Sequence, residues 1–165
     1  MDGKLAAIYI APRAQQPMQA LEEAQLIPGR GIEGDRYFQR QGTFFKEPAP
    51  DREVTLIEGE AVEAMTRECA PFSAAESRRN LVIRGVRLNQ LVGREFQIGT
   101  VRLKGLRLCH PCAHLTKLTG KQVLVGLAGR GGLRAQVLNE GTIRVGDPVY
   151  VREEAEERSA YAVPI

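Results

Sequence analysis

Short runs of apolar residues, many alternating with polar ones, cover most of this chain and predict strands far more often than helices. Residues 4–10 read as a first strand, with Leu5, Ala7 and Tyr9 on one side and Ala6, Ile8 and Ile10 on the other. Residues 53–57 and 80–83 are short apolar strands. Phe96-Gln97-Ile98-Gly99, then 101–104 and 106–108, alternate strictly. Residues 133–138, 143–145 and 149–151 follow the same grammar. Residues 15–24 extend the sheet or form a loop.

Only residues 58–69 carry a clear helical period. Ala61, Met65 and Cys69 recur every four residues beside Val62, with glutamates at the start and Pro71 as a stop. That spacing puts Cys69 on the apolar side as a small buried hydrophobe. Residues 115–127 are expected to hold one or two short helices. The 28–37 segment is rich in turn formers, and 39–50, with Gly42, Pro48 and Pro50 around Phe44 and Phe45, reads as a long loop. Many short strands between turns predict a mainly β fold, β-rich α+β. The expected form is an antiparallel sheet closed or nearly closed into a barrel, with a few short peripheral helices. One domain is expected over 1–152. Glu153, Glu154, Glu156 and Glu157 then open an acidic, flexible tail over 153–165.

Composition narrows the function classes. The chain has 165 residues, 43% hydrophobic and 26% charged, enough for one core without a metal or disulfide staple. A net charge of +3 and the lack of a basic stripe interleaved with aromatics argue against nucleic acid as a partner. No apolar run approaches the roughly 18 residues of a membrane span, and no secretory signal is visible at residues 1–12. Three cysteines suggest reduced thiols and a cytoplasmic protein. Of 23 basic residues, 18 are arginine, whose planar fork suits phosphate and carboxylate. Codon bias accounts for the excess as a whole, so each arginine is read from its neighbours.

Chemistry concentrates in Cys109-His110-Pro111-Cys112-Ala113-His114, which holds two of the three cysteines and both histidines. A thiolate there is a candidate metal ligand or nucleophile. A dithiol redox pair is a second reading, although alternating strands precede the motif with no parallel-sheet pattern. A structural zinc site lacks a second Cys/His cluster. In Arg78-Arg79-Asn80-Leu81, Arg78 and Asn80 fall on one side of an extended segment and offer a guanidinium and an amide to a phosphate or polar heterocycle. Gly34-Asp35-Arg36 and Gly129-Arg130-Gly131-Gly132 are glycine turns with an arginine. Neither has the pattern of a P-loop or a dinucleotide site.

In order and spacing these pieces resemble the MOSC domain, the C-terminal domain of molybdenum-cofactor sulfurases. The matching segments are Gly34-Asp35-Arg36, Arg78-Arg79-Asn80-Leu81, the run Leu91 through Gly99, Cys-His-Pro-Cys ending at Cys112, the run Gly129 through Ala135, and the run Gly141 through Asp147. The resemblance covers most of residues 1–152. It implies a β-barrel that binds a molybdopterin-type molybdenum cofactor, with Cys112 as metal ligand and catalytic centre. Arg78 and Asn80 would help hold the cofactor, joined by Gly34, Asp35, Arg36 and Arg130. The implied activity is an oxidoreductase that reduces N-hydroxylated or N-oxide compounds. The small-molecule substrate would be served by a separate electron-donor protein, because no ferredoxin-like cysteine set is present. The alternative is a sulfur carrier with a persulfide on Cys112 for cofactor or metal–sulfur maturation. Pyridoxal phosphate is not indicated. Cys109 departs from the single cysteine common at this site, and the oligomeric state is open.

Overall fold

A computed structural model describes residues 2–38, 52–111 and 123–152. The expected loop at 39–50, Cys112, His114, the first part of the 115–127 helical segment and the tail lie outside the described residues. Eleven strands are present among the described residues: β1 Gly3–Ile10, β2 Gln19–Leu21, β3 Glu23–Ile27, β4 Gly31–Ile32, β5 Val54–Glu58, β6 Leu81–Arg84, β7 Glu95–Ile98, β8 Val101–Leu108, β9 Leu133–Val137, β10 Gly141–Arg144 and β11 Pro148–Val151. Helix α1 spans Gly59–Glu68, and the single turn α2 spans Val123–Gly126.

The main sheet runs β11-β7-β8-β9-β5-β6-β1, and β1 pairs again with β11 through Gly3↔Val149 and Lys4↔Pro148. Seven strands therefore close into a barrel, with β2 added beside the far end of β1. A second sheet, β10-β3-β4, contributes Ala24, Leu26, Ile32 and Ile143 to the barrel core. Closure leaves the seven ladders few free edges, as the expectation of a closed barrel required.

One pair departs from the antiparallel expectation. Strands β5 and β6 run parallel, Leu56↔Leu81 and Ile57↔Val82, and α1 is the crossover between them. A parallel pair needs such a connection. It also explains why 54–57 and 81–83 are apolar on both sides rather than alternating. Leu56, Leu81 and Ile83 fill the barrel, while Ile57 and Val82 pack outward under Ala61, Val62 and Met65 of α1. The helix carries Glu60 in its first turn and Arg67 in its last, both favourable to its dipole. It ends at Glu68, so Cys69 is a cap residue and is exposed. This corrects the expectation of a buried Cys69: the helical period stops one residue before the thiol could turn inward. Strand β8 is likewise one continuous strand, not two, with a register shift between Gly105 and Arg107 against β9.

Candidate functional site

At one rim of the barrel β1 and β8 end while β6 and β9 begin. Four segments meet there: the 34–37 turn, the 77–80 approach to β6, the 109–111 exit from β8, and the 129–132 lead into β9. Ala74–Ser77 forms a tight turn that Arg78 ends in the left-handed conformation, φ 63°. That φ breaks the parity expected of an extended 78–80 segment. Arg78 and Asn80 do not share a face. Arg78 stays half-exposed, while Arg79 and Asn80 both turn inward.

Asn80 has no exposed surface. Its Oδ1 accepts from Thr55 N–H and Thr55 Oγ1, both at 3.1 Å, and its Nδ2 donates to the Tyr9 carbonyl at 3.1 Å. Its own N–H donates to Thr55 Oγ1 at 3.0 Å. One amide thus joins β1, β5 and β6, and its bonds fix the backbone of the rim.

The 34–37 turn docks on the end of β1. Arg36 N–H donates to the Ala11 carbonyl at 2.7 Å, and Asp35 Oδ1 accepts Ala11 N–H at 3.0 Å. Gly34 precedes them with φ 89° and lies beside Ile10. Asp35 and Arg36 are both buried and form an ion pair at 3.2 Å. The Arg36 guanidinium lies over the Tyr37 ring at 4.7 Å and donates through Nη2 to the Arg78 carbonyl at 3.3 Å. Arg78 donates through Nη1 to the Gln16 carbonyl. Burial, and next the Arg36 charge, push the Arg78 guanidinium down to about 10, more than Asp35 restores.

Arg79, for which the sequence pattern suggests no role, reaches across β5. Its Nε donates to the Gly131 carbonyl at 2.9 Å, Nη1 to Ser77 O at 3.3 Å, and Nη2 to the carbonyls of Cys109 at 3.4 Å and His110 at 3.3 Å. Gly131 and Gly132 allow this closeness. A Cβ on Gly131 would sit 2.5 Å from Cys109 O, and one on Gly132 would sit 2.1 Å from Leu56 O. These glycines serve backbone packing at the start of β9. Cys109 is buried and His110 exposed, and Cys109 N–H donates to Gly132 O at 2.8 Å.

Asp35, Arg36, Arg78 and Asn80 are therefore brought together, with Arg79 beside them. The guanidinium of Arg130 turns elsewhere: Nε donates to Gly126 O at 2.8 Å and Nη2 pairs with Glu68 at 2.7 Å. It lines a cavity of about 370 Å³ with Glu58, Glu60, Arg87, Asn89 and Gln90. Cys112 is one peptide beyond Pro111 and lies outside the described residues. Among the described residues no three His, Cys, Asp or Glu side chains gather to hold a metal ion. Among the described residues, the guanidiniums of Arg36, Arg78 and Arg79 lie at this rim with the carboxylate of Asp35. Of these, Arg36 and Arg79 are buried and Arg78 is half-exposed, beside the residues that lead toward Cys112.

The profile of the MOSC domain matches residues 45–150. The chain belongs to the MOSC domain family. MOSC domains are associated in general with molybdenum-cofactor binding. Among solved structures, the YuaD protein from Bacillus subtilis is similar with a TM-score of 0.76 and 18% identity, covering 92% of this chain and 96% of that one. YiiM from Geobacillus stearothermophilus (TM-score 0.69, 15% identity, 92% of this chain and 75% of that one) is also similar. So is YiiM from Escherichia coli (0.70, 18%, 92% and 70%). At these identities the likeness is one of fold. No curated protein sequence matches the chain. No helix among the described residues of this MOSC domain is long and apolar enough to cross a membrane.

Proposed function

We propose that this MOSC domain is a molybdenum-cofactor oxidoreductase that reduces N-hydroxylated or N-oxide compounds, with Cys112 as the metal ligand. The observation that carries the reading is the charge imbalance at the rim. Arg78 keeps no carboxylate of its own among the described residues and is held down to about 10 by burial and by Arg36. A phosphate or pterin substituent bearing negative charge would offset the Arg36 repulsion and pair with the Arg78 guanidinium, so the residues present fit the group.

Arg78 and Arg36 would bind the anionic end, and Asp35 would keep Arg36 aimed at the 77–80 turn. Asn80 would act by fixing the backbone that presents Arg78. Gly34 would contribute the turn that seats Asp35 and Arg36. Arg130 would act from the neighbouring cavity rather than the rim. Cys112, deprotonated by ligation, would anchor the metal. The cofactor supplies two-electron chemistry for removing an oxygen atom from the substrate. A separate electron-donor protein would restore the electrons.

Elemental analysis of protein made in a molybdenum-replete host tests this directly. The parent chain is expected to retain molybdenum and Cys112→Ala to lose it. Full occupancy in the variant would reject Cys112 as ligand. A one-sulfur mass increment on Cys112 in molybdenum-free protein would instead favour the sulfur-carrier reading.

A further inference from the structure

The 77–80 turn carries a buried cation that pairs with no acid among the described residues. Arg79 is 8% exposed. Its partners among the described residues are four carbonyl oxygens, of Gly131, Ser77, Cys109 and His110. A buried charge is costly unless it is paired or fully hydrogen-bonded. Here the donors of one planar fork are spent on backbone from three separate segments. Two of those carbonyls belong to the residues leading from β8 toward Cys112. Cys109 N–H is tied in turn to Gly132, whose neighbour Gly131 accepts from the same guanidinium. The loop is therefore gripped at consecutive carbonyls from below and laced to the start of β9 from the side.

We infer that Arg79 is the positioning residue of the cysteine loop. Through the Cys109 and His110 carbonyls it fixes the point from which Pro111 and Cys112 depart. Its value for the chemistry rests on the reading of Cys112 as a metal ligand; its grip on the loop does not. Arg79 need touch neither substrate nor cofactor. Lysine could satisfy only part of the role, because one ammonium cannot span carbonyls on both sides of β5.

The test separates grip from cofactor. In cofactor-free Cys69→Ser/Cys112→Ser protein, Cys109 is the sole thiol, and its burial makes labelling by a thiol reagent slow. Adding Arg79→Ala is expected to speed labelling roughly tenfold or more at temperatures where the chain stays folded. Millimolar guanidinium, refilling the vacated space, is expected to slow it again, while urea at the same concentration does not. A global loss of stability alone would not show that selective rescue. Unchanged labelling in folded Arg79→Ala, or equal effects of guanidinium and urea, overturns the inference.

If Arg79→Ala does not fold, hydrogen exchange in the parent decides. The Arg79 Nε–H and Cys109 N–H signals must be among the slowly exchanging ones, and fast exchange at either rejects the grip. Where Arg79→Ala folds, molybdenum retention is compared in chains that keep Cys112. Arg79→Ala is expected to lose metal and regain it with guanidinium. Faster Cys109 labelling in Arg79→Ala, in a protein whose parent never binds molybdenum, would sink the functional reading and leave the positioning role standing. A loop and a metal both unaffected would do the reverse.

Discussion

At the scale of single residues, the rim depends on buried polar groups that each have little tolerance for loss. Asp35 accepts Ala11 N–H, the Arg36 guanidinium and, through Oδ2, Tyr37 N–H at 3.3 Å. Asp35→Ala would leave Arg36 buried without an acid, a change expected to cost about 3–5 kcal/mol. A denaturant midpoint lowered by much less would mean that Arg36 swings to solvent instead. Asn80→Ala would strand Thr55 N–H and the Tyr9 carbonyl, and a loss of about 1–3 kcal/mol per unsatisfied group is expected by the same measurement. Asp35, Arg36, Arg78 and Asn80 were legible in the sequence through the order and spacing of the segments that resemble the MOSC domain, each segment being weak alone. The sequence did not show which way they face. Alternation assumes extended backbone, and one left-handed residue at Arg78 reverses the parity of all that follows it. Arg79 drew no role because that parity set it apart from the Arg78 and Asn80 side.

At the scale of elements, the strands were legible wherever one face is buried, as in 96–98 and 133–138, because pleat and pattern share a period of two. The β5-α1-β6 unit was legible as strand, helix, strand, but its parallel pairing was not. Nothing in 54–57 or 81–83 distinguishes a barrel wall covered by a helix from any other buried strand. The lead into β9 is the least forgiving junction. Gly132 has φ 118° and its Cβ position lies 2.1 Å from Leu56 O and 3.5 Å from Arg79 Nε. Both strain and clash oppose a side chain there. Gly132→Ala is expected to disrupt the β5–β9 junction, lowering the melting temperature and exposing Cys109 to thiol reagents together. A variant that melts like the parent and keeps Cys109 protected would refute the close packing of these segments.

At the scale of the whole molecule, Glu53 joins the two sheets. Its Oε1 accepts Gly29 N–H at 3.0 Å, from the β3–β4 turn, and Val137 N–H at 3.2 Å, at the end of β9. Burial raises its carboxyl above the ordinary 4.5 despite those two donors. The folded chain then binds this proton more tightly than the unfolded chain, so stability falls as pH rises from 4.5 through the raised value. Glutamine can offer the same Oε1 to both donors without a charge. Glu53→Gln is expected to flatten that part of the stability profile and to equal or exceed the parent at neutral pH, as read by melts across the acid range. A marked loss at neutral pH would show that the charge itself holds the sheets together. The barrel's closure has a consequence of another kind. Gly3 and Lys4 wait for Pro148 and Val149, their partners across nearly the whole described chain. During synthesis on the ribosome β1 must stand with that seam unzipped until the other strands of the barrel have been made. That seam joins the most distant pieces of the wall, so closing it raises the contact order of the whole barrel.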